Sequence, residues 1–258
     1  MLGAAVLLAL AAQSAAAPAD DFCTDRPGLE TGTCIVPAGD IQMETSLADW
    51  TTDQAGGVRT RQWAIGETAV RFGLNAHSEV QLSWTPWIRL TKRDGAHDSA
   101  SSPGDASLLY KVRLNRADAP AIFALMPFVK VPLARRPIGN RRVEAGVLAP
   151  VDVALADRWT LTLTPEADWN ADQDRRGHHL GLAGAIGVGL DLSDRLSTGL
   201  TFWGERDADP GGIVDQEIAG LSLAWTARPK LQFDLEGDAG IGGAAPAVEL
   251  IVGVSFRR

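Results

Sequence analysis

From Pro37 onward the chain alternates apolar and polar residues with period two, and no stretch there offers a helical stripe. Trp159, Leu161, Leu163, Pro165, Ala167 and Trp169 share one face, while Thr160, Thr162, Thr164, Glu166 and Asp168 share the other. Val248, Leu250, Val252, Val254 and Phe256 alternate in the same way with Glu249, Ile251, Gly253 and Ser255. Twelve such segments follow one another, at 39–50, 61–74, 79–91, 105–115, 121–131, 142–156, 159–170, 178–192, 196–206, 214–226, 231–239 and 246–257. Most are far longer than the roughly five or six residues of an ordinary globular strand.

The connections alternate too. Short turns at 75–78, 157–158, 193–195 and 228–230 are interleaved with longer polar links at 51–60, 92–104, 132–141, 171–177, 207–213 and 240–245. Short turns at one end and longer loops at the other are the pattern of an outer-membrane barrel, with both termini on the periplasmic side when the strand number is even. Ten residues from Trp159 to Trp169, at a rise of about 3.3 Å and a tilt of about 40°, cover about 25 Å of height, which matches the apolar band between aromatic girdles. Trp159 and Trp169 are therefore the expected interface girdle, and Trp50, Trp63, Trp84, Trp87, Trp203 and Trp225 also lie towards strand ends. The expected fold is all-β: a transmembrane antiparallel up-and-down β-barrel of about twelve strands. A soluble sandwich or lipocalin-like barrel has the same alternation with its apolar face inward.

Composition narrows the function. A net charge of −8 excludes the basic face that nucleic acid requires. Residues 1–19 carry no charge and form an apolar stretch closing on small residues, followed by Asp20 and Asp21, as in a cleaved secretory signal. Export makes pairing of the two cysteines, Cys23 and Cys34, the expectation. Closing so short a loop restricts the unfolded chain by about 3 kcal/mol. Segment 20–38 then precedes the barrel, 39–258, either hanging in the periplasm or folding into the lumen as a plug.

If the apolar face meets lipid, the alternate residues line the lumen. They are Gln42, Glu44, Glu67, Arg71, Gln81, Lys111, Arg113, Glu144, Asp152, Glu166, Asp168, Asp191, Glu205, Glu217, Gln232, Asp234, Glu236 and Glu249. Acidic groups outnumber basic ones, and an acidic lumen favours cationic or neutral solutes. The same charges also read as pairs satisfying one another inside a closed barrel. Gly181, Ala183, Ala185, Gly187 and Gly189 form a smooth inner strip, giving room for a solute or for the N-terminal segment.

Particular motifs carry a resemblance: Cys23-Thr24-Asp25-Arg26-Pro27, the run from Cys34 to Glu44, Gly73-Leu74, Leu125 to Pro132, Val143-Glu144-Ala145-Gly146 and Gly253-Val254-Ser255-Phe256. Through them the chain resembles the outer-membrane "transporter" family of meta-pathway phenol degradation proteins. The resemblance implies a barrel that passes small, often aromatic or hydrophobic, compounds. One departure is that Phe256, the aromatic expected at the end for the barrel assembly machinery, is followed by Arg257 and Arg258.

The expected function is a porin-like channel in the outer membrane. Its partners are membrane lipid, a small-molecule solute and the assembly machinery, with no nucleic acid and no cofactor. The alternatives are a barrel hydrolase of lipase or protease type and a non-conducting structural barrel. Only His77, His97, His178 and His179 are available as bases. No serine–histidine arrangement and no metal-ligand spacing accompanies them. His178 and His179, near Asp172 and Asp174, are the pair a protease-like site would use.

Overall fold

In the computed structural model, residues 22–174 and 176–258 are described. The signal assigned to 1–19 lies outside them. Sixteen strands form: β1 (Ile41–Ala55), β2 (Val58–Ile65), β3 (Glu67–Asn75), β4 (Ser78–Trp84), β5 (Trp87–Arg93), β6 (His97–Ser102), β7 (Ala106–Arg113), β8 (Ala121–Val131), β9 (Glu144–Leu148), β10 (Val151–Ala156), β11 (Trp159–Ala171), β12 (His178–Ser193), β13 (Leu196–Asp207), β14 (Val214–Arg228), β15 (Leu231–Gly243) and β16 (Val248–Arg257). Four breaks, at Gly66, Thr85-Pro86, 103–105 and 149–150, each divide one long strand in two. The sixteen pieces thus make twelve staves, the number expected.

All neighbours pair antiparallel, and β1 closes the ring on β16, from Gln42 opposite Arg257 to Thr52 opposite Val248. Closure leaves no open edge at membrane depth, as hydrocarbon requires. The expected link at 51–60 is mostly strand: β1 and β2 continue to a turn at Gly56-Gly57, where φ is +58° and +83°. Two successive positive φ values make the hairpin turn that matches strand twist, and glycine adopts them freely. The link at 92–104 likewise contracts to a turn between Arg93 and His97.

The molecule is inside out relative to a soluble protein. Arg71, Lys111, Gln42 and Glu79 are fully buried, whereas Leu221 is 62% and Val252 46% exposed on the outer wall. Burying charged groups while exposing a continuous aliphatic wall is unfavourable in water, so the medium around the outer wall is lipid. Trp159, Trp225, Phe233 and Phe256 ring the end with the short turns; Trp63, Trp87 and Trp169 ring the other. Trp203 does not join a girdle. Its register places it opposite Ala185, whose side chain is buried inside the barrel.

Candidate functional site

The lumen is the site, and segment 22–38 runs through it. The segment has no regular structure, so its backbone N–H groups need acceptors that no ladder supplies. Carboxylates on the inner wall supply them. The N–H of Asp25 donates to Glu44 at 2.9 Å, that of Gly28 to Glu236 at 3.0 Å, that of Thr33 to Asp152 at 2.7 Å and that of Val36 to Glu79 at 2.5 Å. Arg26 spans Asp234 (2.8 Å) and Ser46 (2.6 Å). The disulfide Cys23–Cys34 closes the segment on itself. Its two carbonyls accept from the barrel, Cys23 from Gln42 at 2.6 Å and Cys34 from Arg71 at 3.1 Å.

Arg71 and Lys111 anchor the segment. Arg71 donates to Glu44 at 2.6 Å and Glu79 at 2.8 Å and lies 3.3 Å from Asp25. Lys111 donates to both oxygens of Asp25 at 2.7 Å and to the Gly32 carbonyl at 3.0 Å. Burial alone would raise the Asp25 carboxyl, but Arg71 and Lys111 with the Lys111 and Gln81 hydrogen bonds hold it below its usual 3.8. Glu30 has no such cations, so burial raises it above its usual 4.5 although Thr201 donates to it.

Glycines of the wall admit the segment. A Cβ on Gly73 would lie 2.1 Å from the Pro37 carbonyl oxygen, and one on Gly187 would lie 2.5 Å from the Glu30 carboxyl. The smooth inner strip of β12 therefore serves close packing at Gly187. Read along β13, Ser197–Gly199 line a cavity of about 230 Å³, Thr201 meets Glu30, and Glu205 and Asp207 line an outer vestibule of about 870 Å³. Along β11 the order repeats as Thr160, the Thr164–Thr31 contact at 3.0 Å, then Asn170.

The expected lumen residues divide by their surroundings. Gln42, Glu44, Arg71, Gln81, Lys111, Asp152, Gln232, Asp234 and Glu236 turn inward and touch the segment or residues that hold it. Glu166, Asp168, Glu205 and Glu249 turn inward above it, and Glu67, opposite buried Ser46, faces the same luminal space. Glu144 stands at the outer mouth with Lys130, Asn140 and the Ala171 N–H. Asp191 and Arg113 lie at the periplasmic rim, where Arg113 donates to the Ala76 carbonyl at 2.8 Å. Glu217 corrects the expectation: it is exposed on the outer wall. It pairs with Gly204, one position past lumen-facing Trp203 and Ile218, and strict alternation turns it outward.

Glu79, Asp49 and Asp238 were absent from the expected set. Glu79 and Asp238 sit two positions from Gln81 and Glu236, so alternation alone identifies them. Asp49 is hidden by an irregularity between Ser46 and Ala48 that shifts the register by one.

At the outer rim His179 gathers Asp172 (2.9 Å), Asp207 and Asp209 (3.6 Å), rather than Asp174, whose carboxylate accepts from the Arg176 N–H. Asp172, His179 and Asp209 could hold a metal cation, each offering a donor atom within 4.8 Å of the others. Both ring nitrogens of His179 contact carboxylates, leaving neither to activate a serine. His178 stacks on Trp169 at 3.6 Å and contacts the Val143 carbonyl.

The model of a family described as "Putative MetA-pathway of phenol degradation" matches residues 24–257. No curated protein matches the chain. The fold is similar to that of an outer membrane channel from Pseudomonas putida F1, at 12% identity and TM-score 0.73, covering 90% of this chain and 99% of that one. It is also similar to the NanC porin, at 9% identity and TM-score 0.53 over 84% and 98% of the two chains. The translocator domain of the autotransporter NalP from Neisseria meningitidis resembles it at 16% identity and TM-score 0.52, over 88% and 91%.

Proposed function

For a chain that belongs to the family described as "Putative MetA-pathway of phenol degradation", we propose a conduit that passes small solutes across the outer membrane by diffusion, with residues 22–38 as its internal constriction. Aromatic and hydrophobic compounds are the solute class that the family description favours. Export on a signal at 1–19 brings the chain to this membrane. The observation that carries the reading is the order along β13: an inner cavity, then the Glu30–Thr201 contact, then an outer vestibule. Two water-accessible spaces on either side of one hydrogen-bonded segment are what a gated or narrowed channel needs. The carboxylates above the constriction bias it towards cationic and neutral solutes.

Planar-bilayer recording tests this. The full chain should give small, cation-preferring steps, and weakening the anchor at Lys111 should enlarge or prolong them. Silence at every voltage from folded protein of both kinds would end the conduit reading. Uptake of labelled aromatic compounds by cells with and without the gene tests the solute class.

A further inference from the structure

Above the breaks at Gly66, Thr85-Pro86 and 103–105, the tip of β1 pairs with β2, β2 with β5 and β5 with β6. This four-stranded tongue lies at the end opposite the termini, the outer side of the membrane. Its two faces differ in charge. One face continues the lipid-facing wall of Trp50 and Trp63, whose rings are 6.4 Å apart. On that face Gln54, Arg59, Arg93 and His97 form one cross-strand row, Thr52, Arg61, Thr91 and Ser99 the next, and Trp50, Trp63, Arg89 and Ser101 the third. The other face carries the carboxylates, with Asp53, Thr60, Lys92 and Asp98 in one row.

Four arginines therefore stand together just above a tryptophan at the lipid boundary. Arg59 lies directly opposite Arg93, a like-charge pairing that destabilises a sheet unless something offsets it. Arg61, Arg89 and Arg93 have no carboxylate within ion-pair distance among the described residues, and Arg59 has only the Gln54 carbonyl at 3.2 Å. Arg206, exposed at the same end, is by contrast paired with Asp215 at 3.2 Å. Between the four guanidinium groups, Trp63 and His97 lies a groove of about 250 Å³.

We propose that this groove binds the phosphate groups of an acylated, phosphorylated lipid of the outer leaflet. Guanidinium forks match phosphate oxygens two at a time. The groove opens sideways to the bilayer, so acyl chains attached to that headgroup descend past Trp63 and Ile65, which are exposed on the same face. A free anion would gain the first contact and not the second. The site needs only the orientation of the barrel and is independent of conduction.

The test uses the full chain in detergent micelles and native mass spectrometry. Bis-phosphorylated lipid A, the same lipid after enzymatic dephosphorylation, and inorganic phosphate are the probes. The phosphorylated lipid should be retained and its dephosphorylated form lost. Replacing Arg61, Arg89 and Arg93 together by Gln should weaken retention by well over tenfold, since even one charge-assisted bond to phosphate is worth roughly a decade. Lysine at the same positions should fall between the two. Arg158→Gln at the opposite end should change nothing. Equal retention of the dephosphorylated lipid, or undiminished retention by the folded Gln variant, overturns the site. Displacement of the lipid by inorganic phosphate at comparable concentration overturns the lipid as its occupant.

Discussion

Lys111→Met isolates the docking of segment 22–38 from the folding of the barrel. All three donors of this ammonium go to the segment, two to Asp25 and one to the Gly32 carbonyl, and none goes to the wall. The side chain is fully buried and Asp25 nearly so, which leaves little solvent screening. Removing one partner of a buried ion pair costs about 3–5 kcal/mol. Asp25 keeps Arg71 at 3.3 Å and Gln81 at 3.1 Å, so the lower end applies. About 3 kcal/mol lowers the docked-to-released ratio by about a hundredfold. Single-channel recording should show open probability rising by that order. Asp25→Asn should act in the same direction, and the double variant should fall short of the sum by about 1–3 kcal/mol, because the two single changes remove one interaction. Lys111→Met protein that keeps the heat-modifiable mobility of a folded barrel, yet records like wild type, would refute this account of what holds the segment.

Three further outcomes follow from the same contacts. The lowered Asp25 carboxyl stabilises docking above its usual 3.8 and loses that contribution as pH falls, whereas the raised Glu30 contributes below its usual 4.5 and loses it as pH rises through its docked value; open probability should therefore rise on both sides of a mildly acidic minimum, and Glu30→Gln should flatten the upper limb. Cys34→Ser frees the loop closed with Cys23 and should weaken docking by up to about 3 kcal/mol, seen as more frequent openings that reductant reproduces in wild type. Replacing Glu166 by Gln and Asp168 by Asn should lower the cation preference read from reversal potentials without changing the frequency of openings.

Much of this was legible in the sequence because a closed membrane wall imposes alternation along most of each strand. Trp159, Leu161 and Leu163 point to lipid and Thr162, Thr164 and Glu166 inward, as their spacing requires. Legibility failed where the backbone departed from strict alternation or where a contact joined distant segments. The irregularity after Ser46 hid Asp49, and a parity error put Glu217 inside. The breaks at Gly66 and Pro86 gave no signal, so 61–74 and 79–91 read as unbroken strands, while Arg59, Arg93 and His97 of the tongue fell in expected links. Nothing local predicted that Asp25 would meet Lys111, 86 positions away. Asp25 nevertheless lies in a stretch that carried the resemblance, as do Gly73, where a Cβ would strike the Pro37 carbonyl, and Glu44, which accepts from the Asp25 N–H.

That coincidence gives the acidic lumen two separate causes. An irregular segment at membrane depth must find an acceptor for each backbone N–H inside the protein. Glu44, Glu79, Asp152 and Glu236 meet that need, so these four carboxylates would be required even in a barrel that passed nothing. Asp49, Glu166, Asp168, Glu205, Asp238 and Glu249 face the space above the segment and make no hydrogen bond to it. They hold the segment by no hydrogen bond, and a conducting path gives their charge a use. The two groups should therefore separate in function: neutral substitution in the first loosens the constriction, and in the second changes which ions cross it.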